Sequence, residues 1–184
     1  MTPYSIVLFL HIVAMLGLFI ALGAEWLILS SVLRAVDTTE ARAWIRASSI
    51  LPVVGLPSIA LTLFTGIFLA TKTRGWTMAW IQVSLGAIVL IGLLGGMAGR
   101  RMRAMRQAAA NRGPSLDAYQ RLVKDATLQI PIRARFAVAL AMVLLMVARP
   151  NFTTSLTIIG VALVAGFLGS IPTWSRRSVQ QATP

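Results

Sequence analysis

Long stretches without charge constrain this chain more than any other feature. About 20 apolar residues in a helix, rising ~1.5 Å each, cross the ~30 Å hydrocarbon core of a bilayer. Five such stretches run from Tyr4 to Leu33, Ala47 to Thr71, Thr77 to Gly99, Phe136 to Ala148 and Phe152 to Trp174. Only the fourth is short. It is bounded by Arg133, Arg135 and Arg149, whose long stems can snorkel and lengthen the effective span. The sequence therefore predicts an all-α integral membrane protein, one domain with five transmembrane helices near 4–33, 47–72, 77–107, 132–149 and 152–174.

Composition closes the other routes. Of 184 residues, 57% are apolar and 12% charged, against ~25% charged in soluble domains. With no cysteine, disulfide scaffolds, thiolate zinc sites and iron-sulfur ligation are excluded. The net charge of +12 would suggest nucleic acid in a soluble chain, but here the cations gather between the apolar runs. Topology accounts for them without a nucleic-acid partner. With five crossings and the N-terminus outside, 14 of the 17 Lys and Arg residues fall in cytoplasmic segments, as the positive-inside rule requires. Only Lys72, Arg74 and Arg149 face outward, and dropping the fourth helix would send Arg176 and Arg177 outside as well. The expectation is N-terminus outside and C-terminus cytoplasmic. Met1 to Val7 carries no positive charge and precedes an apolar run longer than that of a signal peptide, so the first helix is read as retained.

The 36 residues from Arg100 to Arg135 are too many for a bare connection and predict structure of their own. Arg100 to Ala110 extends the third helix, and Asn111-Arg112-Gly113-Pro114 stops it with turn chemistry. Beyond Ser115, residues Leu116, Tyr119, Leu122, Val123, Ala126 and Ile130 share one side. That suits an amphipathic helix on the cytoplasmic leaflet, with a solvated connector as the alternative. Asp37-Thr38-Thr39-Glu40 resembles a capping box, which starts the second helix in the cytoplasm near Thr38.

Inside the membrane, polar groups and small residues mark the faces that meet protein. His11, Ala14, Leu18, Ala21 and Glu25 form one row of the first helix, with Gly17 and Ala24 beside it; ionisable groups in hydrocarbon favour such an interior. His11 and Glu25 are 14 residues apart, ~21 Å along the axis, so neither a direct proton transfer nor a shared metal joins them. Glu25 reads either as a carboxylate paired with Arg46, Arg133 or Arg135, or as part of an ion path with Ser58 and Thr62. His11 reads either as an imidazole hydrogen-bonded across a helix interface or as a ligand. Met15 lies one turn from it, and Met142 and Met146 fall at the same depth on the fourth helix. Imidazole with thioethers suits Cu(I), and one His with one Met can hold a haem iron; methionine is also a common core filler.

Pro57 in the second helix lacks an N–H, frees the Val53 carbonyl and predicts a kink. Ser58, Thr62 and Thr65 share a face nearby. Gly92-xxx-Gly96 and Gly95-xxx-Gly99 in the third helix, and Ala162-xxx-Gly166-xxx-Ser170 in the fifth, supply close-packing ridges alongside Gly17 and Ala21. A five-helix monomer has difficulty burying all of them, which points to a homo-oligomer or a larger membrane complex. No catalytic constellation is present. One His and no Cys allow no two-histidine metal site and no Cys-His nucleophile pair, and no phosphate-cradling glycine motif occurs.

The opening Leu10-His11-Ile12-Val13-Ala14-Met15-Leu16-Gly17 and the stretch from Arg135 to Pro150 resemble uncharacterised small bacterial inner-membrane proteins with a Leu-His dipeptide in the first helix. A more distant resemblance is to the membrane domains of copper-resistance proteins, and it implies metal or haem chemistry around His11. The expectation is a non-enzymatic accessory or assembly subunit of the bacterial cytoplasmic membrane. A small ion-coupled transporter using Glu25 and His11, and a haem or copper binding protein using His11 and the methionines, are the competing readings.

Overall fold

The computed structural model describes residues 2–111 and 115–169. About 90% of these residues are helical, and no strand occurs among them. The order is α1 (Pro3–Arg34), α2 (Thr38–Ala47), α3 (Ile50–Lys72), a 3-10 turn (Gly75–Thr77), α4 (Ala79–Ala110), α5 (Leu116–Val123), α6 (Ala126–Ala148) and α7 (Phe152–Leu168). Among the described residues, four spans are long and apolar enough to cross a membrane, namely α1, α2 with α3, α4 and α6.

Local chemistry sets the ends. Thr2 caps α1 by accepting from the Ser5 N–H, with Pro3 at the first helical position, where its missing N–H costs nothing. Asp37 caps α2 by accepting from the Glu40 N–H at 2.7 Å, while the Glu40 carboxylate accepts from the Val36 N–H at 3.0 Å. That is a capping box displaced by one residue on its return bond. Arg149, between α6 and α7, adopts φ 48°, the left-handed conformation that ends helices and more often falls to glycine.

Several boundaries depart from the sequence expectation. The second helix does not run on from Thr38. It breaks at Ser48 and Ser49, where the Ser48 hydroxyl donates to the Ile45 carbonyl and Arg106 of α4 donates to the Ser48 carbonyl at 3.1 Å. A cation 58 residues away thus anchors the break. The amphipathic helix stops at Val123, because Asp125 caps a new helix by accepting from the Thr127 N–H. The fourth membrane helix begins there, at Ala126, and its 23 residues make it longer than its apolar run implied, with Gln129, Arg133 and Arg135 inside it. The fifth helix ends at Leu168, with Gly169 as its C-cap, after 17 residues, ~25 Å, short of the expected end at Trp174; Ser170, Trp174 and the C-terminal end lie outside the described residues.

The α1–α3, α4–α6 and α6–α7 pairs are antiparallel. On the α1–α3 seam His11 meets Thr65, Gly17 meets Ser58, and Ala21 meets Gly55. Gly95 of α4 faces Arg135 of α6, and Gly166 of α7 faces Ala134 of α6, so α6 packs against both α4 and α7, which also touch each other. Two cores result. One, around Leu18, Ile91, Val138, Met142 and Leu145, lies at mid-span. The other, around Val32, Ile45, Met102, Tyr119 and Val123, gathers α2 and α5 against the ends of α1 and α4. The apolar face of α5 is therefore buried in protein at Tyr119 and Val123, not laid on a leaflet, although Leu122 remains exposed. Pro57 sits within α3, which continues helically through it; the Ser58 hydroxyl bonds the Val54 carbonyl at 2.8 Å, not the Val53 carbonyl that the proline frees.

Candidate functional site

Three places in this bundle set charged or polar side chains in apolar surroundings. The first is an ion pair. Glu25 of α1 accepts from an Nη of Arg135 of α6, and both residues are 7% exposed. Of the three arginines considered for Glu25, Arg135 is the one placed against it. Its Nε also donates to the Pro131 carbonyl at 3.3 Å, and its guanidinium lies over Gly95 of α4, where an added Cβ would come within 3.0 Å of Nη1. Gly95 thus makes room for a cation that ties α6 to α1. Ser58 and Thr62 do not join Glu25 in a path. They lie along the α1–α3 seam, Ser58 against Gly17 and Thr62 farther along, beside His11.

The second place is a cavity of about 60 Å³ lined by His11, Thr62, Trp80, Ser84, Met142 and Met146 among others. Residues of α1, α3, α4 and α6 all reach it, so side chains 135 positions apart share one wall. The Thr65 hydroxyl donates to the Leu61 carbonyl and lies 2.9 Å from His11 Nδ1. With its hydrogen used on Leu61, Thr65 accepts from an Nδ1–H, which leaves the lone pair of the ring on Nε2. Among the described residues, the Thr62 and Ser84 hydroxyls have no hydrogen-bond partner, although the two residues are only 3% and 8% exposed. Buried hydroxyls of this kind call for a partner. Met15, expected with this group, is buried but does not line the cavity. Ser84 was missed in the sequence; a serine inside the third apolar run was its only signal.

At ~30 Å³ per water the cavity has room for roughly two waters or an ion, and a porphyrin does not fit. For a soft metal ion the donors are one imidazole and two thioethers, a set with affinity for Cu(I). Among the described residues, no group of three or more His, Cys, Asp or Glu side chains could hold a harder metal.

The third place is an open groove of about 490 Å³ between α1, α6 and α7, lined by Gly23 and Trp26, by Arg133, Phe136 and Leu140, and by Gly166 and Gly169. Phe136 is held edge-on by Phe19 of α1, with centroids 6.3 Å apart.

The small-residue ridges divide. Gly166 is consumed within the fold, since a Cβ there would lie 2.7 Å from the Ala134 Cα. Gly17 and Ala21 pack against α3. Among the described residues, Gly92, Gly96 and Gly99 of α4 meet nothing within 4 Å of where a Cβ would stand.

A scan against protein-family models finds no match, and comparison with curated proteins and with solved structures finds none either.

Proposed function

We propose that this chain is a non-enzymatic integral protein of the bacterial cytoplasmic membrane, an accessory or assembly component that packs against a second copy of itself or a larger complex. The observation supporting this reading is the uncovered ridge of α4. Gly92, Gly96 and Gly99 form a strip of bare backbone, flanked by exposed Val89, Leu93 and Met97. Association of helices in lipid is driven by close van der Waals approach, which small residues permit. Gly17, Gly55, Gly66, Gly95 and Gly166 face other helices of the bundle, and Gly23, Gly86 and Gly160 are single open positions; this ridge alone, among the described residues, sets three open glycines in a row along two turns.

The ion-coupled transport reading has less support, because Glu25 is closed off by Arg135 instead of facing a cavity. The test is the mass of the particle in mild detergent. The wild-type chain is expected to run as an assembly larger than its 19.8 kDa protomer, and Gly96→Leu to reduce it to the protomer. Gly160→Leu, at an open glycine of α7, serves as control and should leave the assembly intact. A wild-type protomer that elutes alone would defeat the reading.

A second reading has its own observation: the cavity that joins His11 to Met142 and Met146. With the Nδ1–H of the ring engaged by Thr65, Nε2 would be the nitrogen free to ligate, and Met142 and Met146 would supply soft thioether donors from the same wall. Cu(I) is the ion this set favours.

A further inference from the structure

We propose that the groove between α1, α6 and α7 is a binding site for an anionic phospholipid, with Arg133 holding the phosphate and the groove holding one acyl chain. The charge is the first argument. Two arginines enter the membrane span of α6 two residues apart, and they differ in what they face. Arg135 is neutralised by Glu25. Arg133 has, among the described residues, one hydrogen bond, a 3.4 Å contact of its Nε with the neutral amide oxygen of Gln129. Its Nη1 lies against Gly169 of α7, 3.6 Å from where a Cβ would stand, so the guanidinium is held at the groove wall. A cation at such a position, in an apolar cleft and without a carboxylate among the described residues, is complementary to one anionic headgroup.

Shape and place are the second argument. The volume, about 490 Å³, falls in the ~300–1,000 Å³ range of ligand-holding clefts. Apart from Arg133 the walls are apolar. Leu140 and Phe136, toward mid-span, are exposed on the outer surface of the bundle, so the groove opens sideways into hydrocarbon. Trp26, 62% exposed, stands at the Arg133 end, where an indole marks the headgroup level. The charge rule puts that end on the cytoplasmic side. A phospholipid of the inner leaflet enters such a groove by lateral movement, its phosphate already at the depth of Arg133. A free fatty acid would share the chemistry, but has only one chain and no anchor in the adjoining leaflet; the groove, open along its length, leaves the second chain of a phospholipid in the bilayer.

The experiment uses the full chain in nanodiscs of phosphatidylcholine containing a minor fraction of phosphatidylglycerol, released into the gas phase for native mass spectrometry. Phosphatidylglycerol is expected to remain on the protein in preference to phosphatidylcholine. Arg133→Gln should weaken that preference about fivefold, the order associated with one basic side chain near an anionic surface. Arg133→Lys should retain most of it, and Arg121→Gln, an exposed cation of α5, should leave it unchanged. Gly23→Leu fills the groove from a position with nothing within 4 Å and should expel both lipids.

Equal retention of the two lipids, or an Arg121→Gln loss as large as that of Arg133→Gln, would overturn the proposal by showing no site or only diffuse surface charge. Palmitate retained where phosphatidylglycerol is not would overturn its choice of ligand. Circular dichroism of each variant separates loss of the site from loss of the fold.

Discussion

Arg135 of α6 and Glu25 of α1, 110 residues apart in sequence, meet as a buried ion pair over the bare backbone of Gly95 of α4. One cation thereby bears on three helices, and each partner offsets part of the cost of leaving the other charged in a dry interior.

Removing one charge is therefore expected to be worse than removing both. Glu25→Gln leaves Arg135 unpaired and should destabilise by roughly 3–5 kcal/mol, whereas Glu25→Leu combined with Arg135→Leu should recover most of that loss. Thermal unfolding in detergent, followed by circular dichroism, measures both. A double variant no more stable than Glu25→Gln would mean that the pair is not the unit described.

Glycines that differ in what they meet should differ in cost. At Gly166 the obstacle is the Ala134 backbone at 2.7 Å, which cannot rotate away, and Gly166→Ala should cost roughly 1–3 kcal/mol. At Gly95 the obstacle is a guanidinium nitrogen at 3.0 Å, so Gly95→Ala should cost less and its effect should vanish in an Arg135→Leu background. Gly160→Ala meets open space and should be neutral or slightly stabilising. The order of the three melting temperatures is the readout.

The metal reading makes a stoichiometric prediction. Purified protein supplied with Cu(I) under reducing conditions should bind one ion per chain, and His11→Ala or Met142→Leu should abolish it. Met15→Leu should not, because Met15 lies outside the cavity. Retention of copper in His11→Ala would remove the imidazole from the site. Bound haem, with a Soret band lost in the same variant, would contradict the cavity's size.

Orientation can be read from single cysteines, since the chain has none of its own. Thr2→Cys, Thr77→Cys and Asn151→Cys, all at exposed positions, should react with an impermeant thiol reagent in intact cells, and Asp117→Cys on α5 should not. The reverse pattern would invert the topology and move the Arg133 end of the groove to the outer leaflet.

The apolar runs determined the helical class, and the approximate places of the membrane helices, because a helix satisfies its own backbone bonds and needs only length and apolarity to sit in lipid. Capping residues did the same for Asp37, whose carboxylate acts within three residues of itself. Periodicity put His11, Ala21 and Glu25 on one face of α1. It could not say which of three arginines meets Glu25, since Arg133 and Arg135 are two residues apart and their difference lies entirely in the neighbouring helices. The same limit applied to the glycines: Gly92 and Gly166 occur in the same kind of pattern, and one is open while the other is filled by the α6 backbone. The breaks at Ser48 and Lys124 escaped the sequence because each is held by a distant or competing group, Arg106 for the first and the Asp125 cap for the second. Sequence thus determined what could be read along one helix, while the tertiary structure decided every question of partnership: which ridge is covered, which cation is neutralised, and which polar atoms share a cavity. Those answers depend on the rotation and register of helices far apart in the chain, and hydropathy carries no record of either.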